Sequence, residues 1–161
     1  MGTVVTERVA DGAVFADWVR PHLSAMTHLA ARLAPGDGDD VVQDALTRAW
    51  RRWGTYDAAR GTPRTWLLAI VADQSRRTRL RRRPTVELVD GPAPEVRRED
   101  DLALEAALAR LPRRQRLAVS LHYFVGLPVA ECAAVMGCAE GTVKSTLYDA
   151  RRRLREELGD D

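Results

Sequence analysis

The strongest constraint on the fold is a segment rich in proline and acidic residues that interrupts two blocks of helix-like apolar periodicity. Residues 84–100 contain three prolines and one glycine, and acidic side chains crowd the stretch from Glu87 to Asp101. Such a segment cannot bury enough apolar surface to offset the entropy of ordering it. We therefore predict a flexible acidic linker over residues 84–100, between domains at residues 13–83 and 101–158. A chain of 161 residues is long enough for two small domains.

Both blocks are predicted to be helical, and no stretch alternates as a β-strand would. In the first block, apolar residues recur at helical spacing over about 13–33, then from Asp39 to Trp53, then from Pro63 into a basic run. Thr62 and Pro63 suit the N-cap and the first turn of the third helix. In the second block, Pro112, Gly126 and Gly137 divide four shorter helices. The predicted fold class is all-α, with two small helical domains.

The net charge of +2 conceals a strong segregation of basic residues. Arginines crowd residues 76–83 and recur at residues 113–116 and 151–155, and Lys144 is the only lysine. This pattern indicates a polyanionic partner, and guanidinium groups suit phosphate and guanine. The alternative is that these arginines are merely solvated on helix faces.

The residues present argue against an enzyme. We find no nucleophile with a base and an orienting group, no phosphate loop and no metal-ligand cluster. Cys132 and Cys138 lack a paired spacing, and Cys132 is better interpreted as a small buried apolar residue. We expect no catalytic residue, metal, cofactor or small-molecule substrate. No signal peptide or long apolar run is present, so a cytoplasmic protein is expected.

Residues 128–154 have the parts of a helix-turn-helix, with a short helix, a glycine turn and a longer helix with polar residues near its start. Val143 and Leu147 should face the core. The residues expected to face DNA bases or phosphates are Thr142, Lys144, Ser145, Thr146, Tyr148, Arg151 and Arg152. Ala139 at the expected N-cap lacks a capping side chain. The alternative is a helical hairpin with solvated polar residues.

Three motifs in this half carry a family resemblance: residues 111–116 (LPRRQR), 123–127 (YFVGL) and 140–145 (EGTVKS). Together they resemble region 4 of bacterial sigma-70 family factors, and specifically the extracytoplasmic-function (ECF) group. The resemblance implies that the last helix binds the −35 promoter element. Ala139 and Thr146 depart from the family's frequent serine and arginine at these positions.

The first domain resembles region 2 of the same family. The helix from Asp39 to Trp50 resembles the segment that docks on the polymerase clamp. Its predicted polymerase-binding residues are Asp39, Asp40, Gln43, Asp44 and Thr47, while Val42, Ala45, Leu46 and Ala49 would pack inward. The alternative is that the acidic residues at the start of this helix serve only to interact favourably with the helix dipole.

Residues 60–70 resemble the part of region 2 that recognises and melts the −10 element. The loop from Thr55 to Pro63 could form the wall of a pocket for an extruded base, and Trp66 is better placed in the core than as a stacking platform. Asp73 stands where relatives often have asparagine and could accept from a cytosine amino group. The predicted −10 residues are Arg60, Asp73, Arg76, Arg77, Arg79 and Arg81.

The resemblance implies a sigma factor that binds core RNA polymerase through the clamp and flap of its large subunits, recognises promoter DNA and assists melting. It also implies an anti-sigma partner. One alternative is a free-standing helix-turn-helix regulator, since the Gly141 to Ser145 stretch also suits response-regulator domains. That alternative leaves the Asp39 to Trp50 helix unexplained. An RNA-binding protein is a further alternative, but no aromatic RNA-binding signature occurs.

Overall fold

The computed structural model describes residues 2–82 and 98–159, with side chains from residue 11 onward. Within these ranges lie eight α-helices: α1 (Gly2–Val19), α2 (Leu23–Leu33), α3 (Gly38–Arg52), α4 (Pro63–Arg81), α5 (Glu99–Arg110), α6 (Arg113–Val119), α7 (Val129–Met136) and α8 (Glu140–Leu158). A π-helical turn, Ser120–Phe124, extends α6. The described ranges contain no strand, as the all-α prediction requires.

In the first half, α2, α3 and α4 pack against one another around a common core. Val41, Ala45 and Ala49 recur every four residues along α3 and are fully buried. They face the completely buried side chains of Met26 and Leu29 from α2. This packing leaves the opposite face of α3 exposed to solvent, which is what a docking surface requires.

The apolar run over residues 13–33 forms two helices rather than one. A 3₁₀ turn at Arg20–His22 separates α1 from α2, and Pro21 lies in this turn. Proline has no backbone N–H and cannot continue the helical ladder there. Val14, one of the apolar residues of this run, is 57% exposed on α1.

The loop before α4 is held by local hydrogen bonds. The Thr62 hydroxyl accepts a hydrogen bond from the backbone N–H of Thr65 at 3.2 Å, with Pro63 in the first turn. This is the predicted N-cap. The Tyr56 hydroxyl donates to the carbonyl of Gly61 at 3.0 Å across the loop. The loop therefore has a defined shape at the point where it meets α4.

An aromatic cluster anchors this loop and α1 to the first domain. Trp18 contacts Tyr56 and Trp66, with ring centroids 5.1 and 5.8 Å apart. Phe15 packs edge-on against both Trp50 and Trp53 at 5.2 Å. Such pairs contribute about 0.5–1.5 kcal/mol each beyond their burial.

In the second half, α5 to α8 surround buried side chains that include Leu121, Leu127 and Val143, and these join the buried side chains of the first half in one cluster. Two glycines allow the chain to reverse: Gly126 has φ +83° after the π-helical turn, and Gly137 has φ +65° between α7 and α8. A residue with a Cβ adopts this left-handed conformation only at a cost. The predicted breaks at Gly126 and Gly137 are thus confirmed.

The two halves contact each other directly. α4 packs against α7, and α2 packs against the π-helical turn. The Arg32 guanidinium donates to Glu105 at 2.7 Å and lies 3.6 Å from the centre of the Phe124 ring. Arg64 on α4 forms an ion pair with Glu131 on α7. Of the predicted linker, residues 84–97 lie outside the described residues, and α5 already begins at Glu99.

Candidate polymerase and nucleic-acid interfaces

The outward face of α3 presents the predicted polymerase-binding residues together. Their side chains are all exposed: Asp39, Asp40, Gln43, Asp44 and Thr47. We call this set the α3 acidic face. Its inner end touches α4, because Gln74 Nε2 donates to Asp44 Oδ2 at 3.3 Å. The predicted inward packing of Ala45 and Ala49 is confirmed, whereas Val42 and Leu46 are only partly buried.

The basic half of α4 is organised around one carboxylate. Asp73 Oδ1 accepts from Arg76 at 3.1 Å, and Asp73 Oδ2 accepts from Arg77 and from Arg48 of α3, each at 3.0 Å. Burial raises the pKa of Asp73, but the hydrogen bonds from Arg76, Arg77 and Arg48 outweigh it and hold the pKa below its usual range. Asp73 is therefore an ionised carboxylate whose two oxygens are both already engaged by arginines.

The remaining predicted arginines of α4 are more open. Arg79 and Arg81 are exposed, and neither forms an ion pair with another described residue. They lie within the last turn of α4, beyond the Asp73 network. The helix thus carries two classes of arginine: Arg76 and Arg77 held by Asp73, and Arg79 and Arg81 with free guanidinium groups among the described residues.

A cavity of about 410 Å³ lies beside the loop that precedes α4. Tyr56, Arg60, Gly61 and Trp66 are among the residues that line it, and Ala134 of α7 borders it from the second domain. Trp66 contributes an indole ring to this lining, and Arg60 is exposed to solvent. Trp66 is partly buried against the core while also reaching the cavity, so the two predicted roles are not exclusive.

The second half contains the predicted helix-turn-helix. α7 ends at Met136, Gly137 turns the chain, and α8 starts after an N-cap position occupied by Ala139, which makes no side-chain cap. Val143 and Leu147 are buried as predicted. The face opposite them carries the predicted DNA-binding residues. Thr142, Lys144, Ser145, Tyr148, Arg151 and Arg152 are exposed, and Thr146 is partly buried.

Several of these groups have local partners. The hydroxyls of Ser145 and Thr146 donate to the carbonyl of Thr142 at 3.0 and 2.7 Å. Arg151 Nη1 donates to the Tyr123 hydroxyl at 2.8 Å, which links α8 to the π-helical turn. The Lys144 ammonium has no ion pair among the described residues. Lys144 is thus free to contact an outside partner near the start of α8.

The comparisons with known proteins match both halves. The family model of sigma-70 region 2 matches residues 18–85, and that of sigma-70 region 4 matches residues 101–154. RNA polymerase sigma-E factor of Streptomyces coelicolor is 34% identical over 151 residues, covering 89% of this chain and 85% of that one. ECF RNA polymerase sigma factor SigM of Mycobacterium tuberculosis is 38% identical over 144 residues, covering 85% and 71%.

This chain belongs to the sigma-70 family, in its ECF group. As a sigma factor it binds core RNA polymerase and directs promoter-specific initiation of transcription. The region 2 match over residues 18–85 covers the half of the chain that a free-standing helix-turn-helix regulator leaves unexplained. Sigma factors are known as non-catalytic initiation factors.

Solved sigma factors share the fold. The sigma factor RpoE, in a structure with the anti-sigma factor NepR from Bartonella quintana, matches with a TM-score of 0.69 at 27% identity, covering 89% of this chain and 96% of that one. CnrH, in a structure with the cytosolic domain of CnrY, matches with a TM-score of 0.69 at 26% identity, covering 96% and 95%.

Other features of this sigma factor have a structural explanation. Burial raises the pKa of the Cys132 thiol to about 11, and its sulfur lies 3.6 Å from the carbonyl of Leu127. Cys132 is fully buried, as its interpretation as a small apolar residue requires. No group of three or more potential metal ligands occurs in the described ranges, and none of their helices is long and apolar enough to cross a membrane.

Two arrangements in the structure were not predicted from the sequence. The Asp73 network was overlooked although Arg76 and Arg77 follow Asp73 by three and four residues, the spacing at which helical side chains meet. The contacts between the domains were also missed. The pair Arg64–Glu131 joins residues 67 positions apart, and no local pattern signals such a pair.

Proposed function

We propose that three exposed surfaces of this sigma factor each bind a different partner or promoter element. The α3 acidic face binds the clamp of core polymerase, α4 with its preceding loop engages the −10 element, and the exposed face of α8 binds the −35 element. The observation that carries the proposal is the exposure of the α3 acidic face above a fully buried row of Val41, Ala45 and Ala49. Polar groups held rigidly on a packed helix suit a specific partner.

The −10 proposal uses the loop cavity beside α4. A volume of about 410 Å³ accommodates one nucleobase, and Trp66 and Tyr56 supply aromatic surface beside it. Arg60 is exposed and lines this cavity, and Arg79 and Arg81 are available to hold phosphates. Unstacking a base costs a few kcal/mol, which these contacts would offset. We assign Asp73, Arg76 and Arg77 to the same surface as a preformed unit.

The −35 proposal places the start of α8 in the major groove. Thr142, Lys144, Ser145, Thr146 and Tyr148 would meet base edges, and Arg151 and Arg152 would follow one to two turns later at phosphates. Because Ser145 and Thr146 donate to the carbonyl of Thr142, their oxygens remain available as acceptors.

We also propose an anti-sigma factor as a partner, together with contact between region 4 and the polymerase flap. The support is that two solved structures of similar fold are complexes: RpoE with the anti-sigma factor NepR, and CnrH with the cytosolic domain of CnrY. We place the chain in the cytoplasm, where core polymerase acts, and assign it no catalytic activity, cofactor or small-molecule substrate.

Charge reversal on the α3 acidic face tests the polymerase surface. Asp40→Arg with Asp44→Arg should strongly reduce co-purification with core polymerase, because it puts positive charge where the partner is matched to negative charge. Asp11→Arg with Asp17→Arg on α1 is the matched control, since both carboxylates are exposed and the change in net charge is the same.

Circular dichroism of both variants separates lost binding from lost folding. The proposal requires unchanged helicity in each, with polymerase lost only from the α3 variant. Equal recovery of polymerase by the two folded variants would contradict it.

A further inference from the structure

Five arginines meet where the two domains touch. Arg76 and Arg79 come from α4, and Arg113, Arg114 and Arg116 come from α6. We call this set the arginine seam. Two cavities lie within it, and side chains from both domains line each of them. The seam exists only because α4 and α6 approach one another, so neither domain forms it alone.

The seam concentrates positive charge with little compensation. Burial of the Arg113 guanidinium lowers its pKa, and the positive charge of Arg76 lowers it further. Asp73 is the nearby carboxylate, but its oxygens already accept from Arg48, Arg76 and Arg77. Arg113 and Arg114 form no ion pair with another described residue. Arg113 and Arg114 are exposed, so water screens part of their repulsion, and the charge of Asp73 raises the pKa of Arg113; a bound anion would relieve the repulsion that remains.

Arg116 in the seam has one donor in use and one without an acceptor: its Nη1 donates to the carbonyl of Ala109 at 3.4 Å. Arg116 Nε is buried and has no hydrogen-bond acceptor among the described residues. Arg116 lines the smaller cavity of the seam, which also touches Arg76, Arg79 and Arg113. This smaller cavity has a volume of about 20 Å³, which is room for about one water molecule, so a ligand must lie in the larger cavity.

The larger cavity is large enough, and apolar enough in part of its lining, for a ligand that has both an anionic and an apolar part. Its volume is about 240 Å³. Ala69, Leu117, Val135 and Met136 contribute apolar lining, and the charged lining consists of Arg76, Arg113, Arg114 and Asp73. Pockets for drug-sized ligands span roughly 300–1,000 Å³, so this one suits a group of nucleobase size whose charged part extends outward.

We propose that the arginine seam binds a nucleotide, with the base against the apolar lining of the larger cavity and the phosphates among Arg76, Arg113 and Arg114. Guanidinium groups bind phosphate in bidentate fashion, and charge-assisted hydrogen bonds of this kind are the strongest available. Because the arginines come from both domains, the bound nucleotide holds the domains together. It is an effector and not a substrate. The site is separate from the α3 acidic face and from α8, and it shares Arg76 and Arg79 with the proposed −10 surface.

Equilibrium binding and thermal unfolding of the full chain test this site, with ATP, AMP, adenosine and inorganic phosphate as probes at constant ionic strength. We expect ATP to bind most tightly and to raise the unfolding temperature, AMP to bind more weakly, and adenosine to have no effect. Arg113→Ala should weaken ATP binding roughly tenfold, the loss expected when one charge-assisted contact is removed. Arg155→Ala, an exposed arginine on α8 outside the seam, is the matched control.

The unfolding temperature of the Arg113 variant distinguishes loss of the site from a general loss of structure. Without ligand its unfolding temperature should rise, because the substitution removes charge crowding, while the ATP-dependent increase disappears. Equal ATP binding by the Arg113 and Arg155 variants would overturn the site. Inorganic phosphate binding as tightly as ATP would overturn the assignment of a nucleotide. So would a single-stranded oligonucleotide that binds more tightly than ATP and depends on Arg113.

Discussion

At the scale of single residues, Asp73 determines whether the arginines near it are free to bind an outside partner. From the sequence alone, Arg76 and Arg77 are two free cations and Asp73 is a possible acceptor for a cytosine amino group. In the structure the three side chains form one network with Arg48. Asp73 both orients the arginines and competes with phosphate for them. This double role cannot be predicted from the residue types alone.

Asp73→Asn should therefore strengthen binding of the full chain to mixed-sequence duplex DNA. The substitution removes a negative charge that repels phosphate and releases Arg76 and Arg77 for new contacts. Each added phosphate contact should steepen the dependence of log affinity on log salt by about 0.9. Titrations at several salt concentrations measure both effects. Asp17→Asn, whose carboxylate pairs with Arg20 on the surface, is the control and should change neither; weaker binding by the Asp73 variant would count against this role.

The two cysteines should differ in reactivity because they differ in burial. Burial of Cys132 raises its thiol pKa to about 11, so almost no thiolate forms at neutral pH. Cys138 is partly exposed in the turn before α8. Iodoacetamide at neutral pH should modify Cys138 in the folded protein and Cys132 only after denaturation, as mass spectrometry of peptides would show. Equal modification of both in the folded protein would contradict the buried position of Cys132.

At the scale of elements, most helices and their breaks could be predicted because they depend on local chemistry. The cap at Thr62 and the turns at Gly126 and Gly137 follow from side-chain oxygens and from positive φ angles. The break at Pro21 was missed because apolar residues continue at helical spacing on both sides of it. Periodicity reports which face is buried, and it is insensitive to a single turn of a different helix type.

The start of α8 offers a stabilising substitution. Ala139 occupies the N-cap with extended backbone, φ −73° and ψ 153°, but it has no side-chain acceptor. Ala139→Ser should raise the free energy of unfolding by about 0.5–2 kcal/mol, because its hydroxyl can accept from a backbone N–H in the first turn. Denaturant titration measures this. Ala103→Ser, at an exposed position within α5, should be neutral or slightly destabilising; the same gain in both variants would show that capping is not the cause.

At the scale of the whole molecule, the order of the surfaces could be predicted but their mutual arrangement could not. The acidic helix, the basic helix and the helix-turn-helix each have a local signature. The contacts that join the domains depend on pairs such as Arg32–Glu105, 73 positions apart, whose partners look like ordinary surface charges in the sequence. The same limit concealed the arginine seam, which arises only when α4 and α6 approach one another.

The division of labour between α4 and α8 is the central claim, and footprinting with permanganate detection of unpaired thymines tests it most directly. Polymerase is reconstituted with each variant on a promoter that the native holoenzyme transcribes. Lys144→Ala and Arg151→Ala should each weaken protection of the −35 duplex, by about 1–3 kcal/mol where a base contact is lost, and leave melting of an already loaded promoter nearly intact. Arg76→Ala with Arg77→Ala should spare upstream protection and reduce thymine reactivity around −10. Normal opening by the Arg76/Arg77 variant, together with undiminished −35 binding by the Lys144 variant, would contradict the assignment of the two helices.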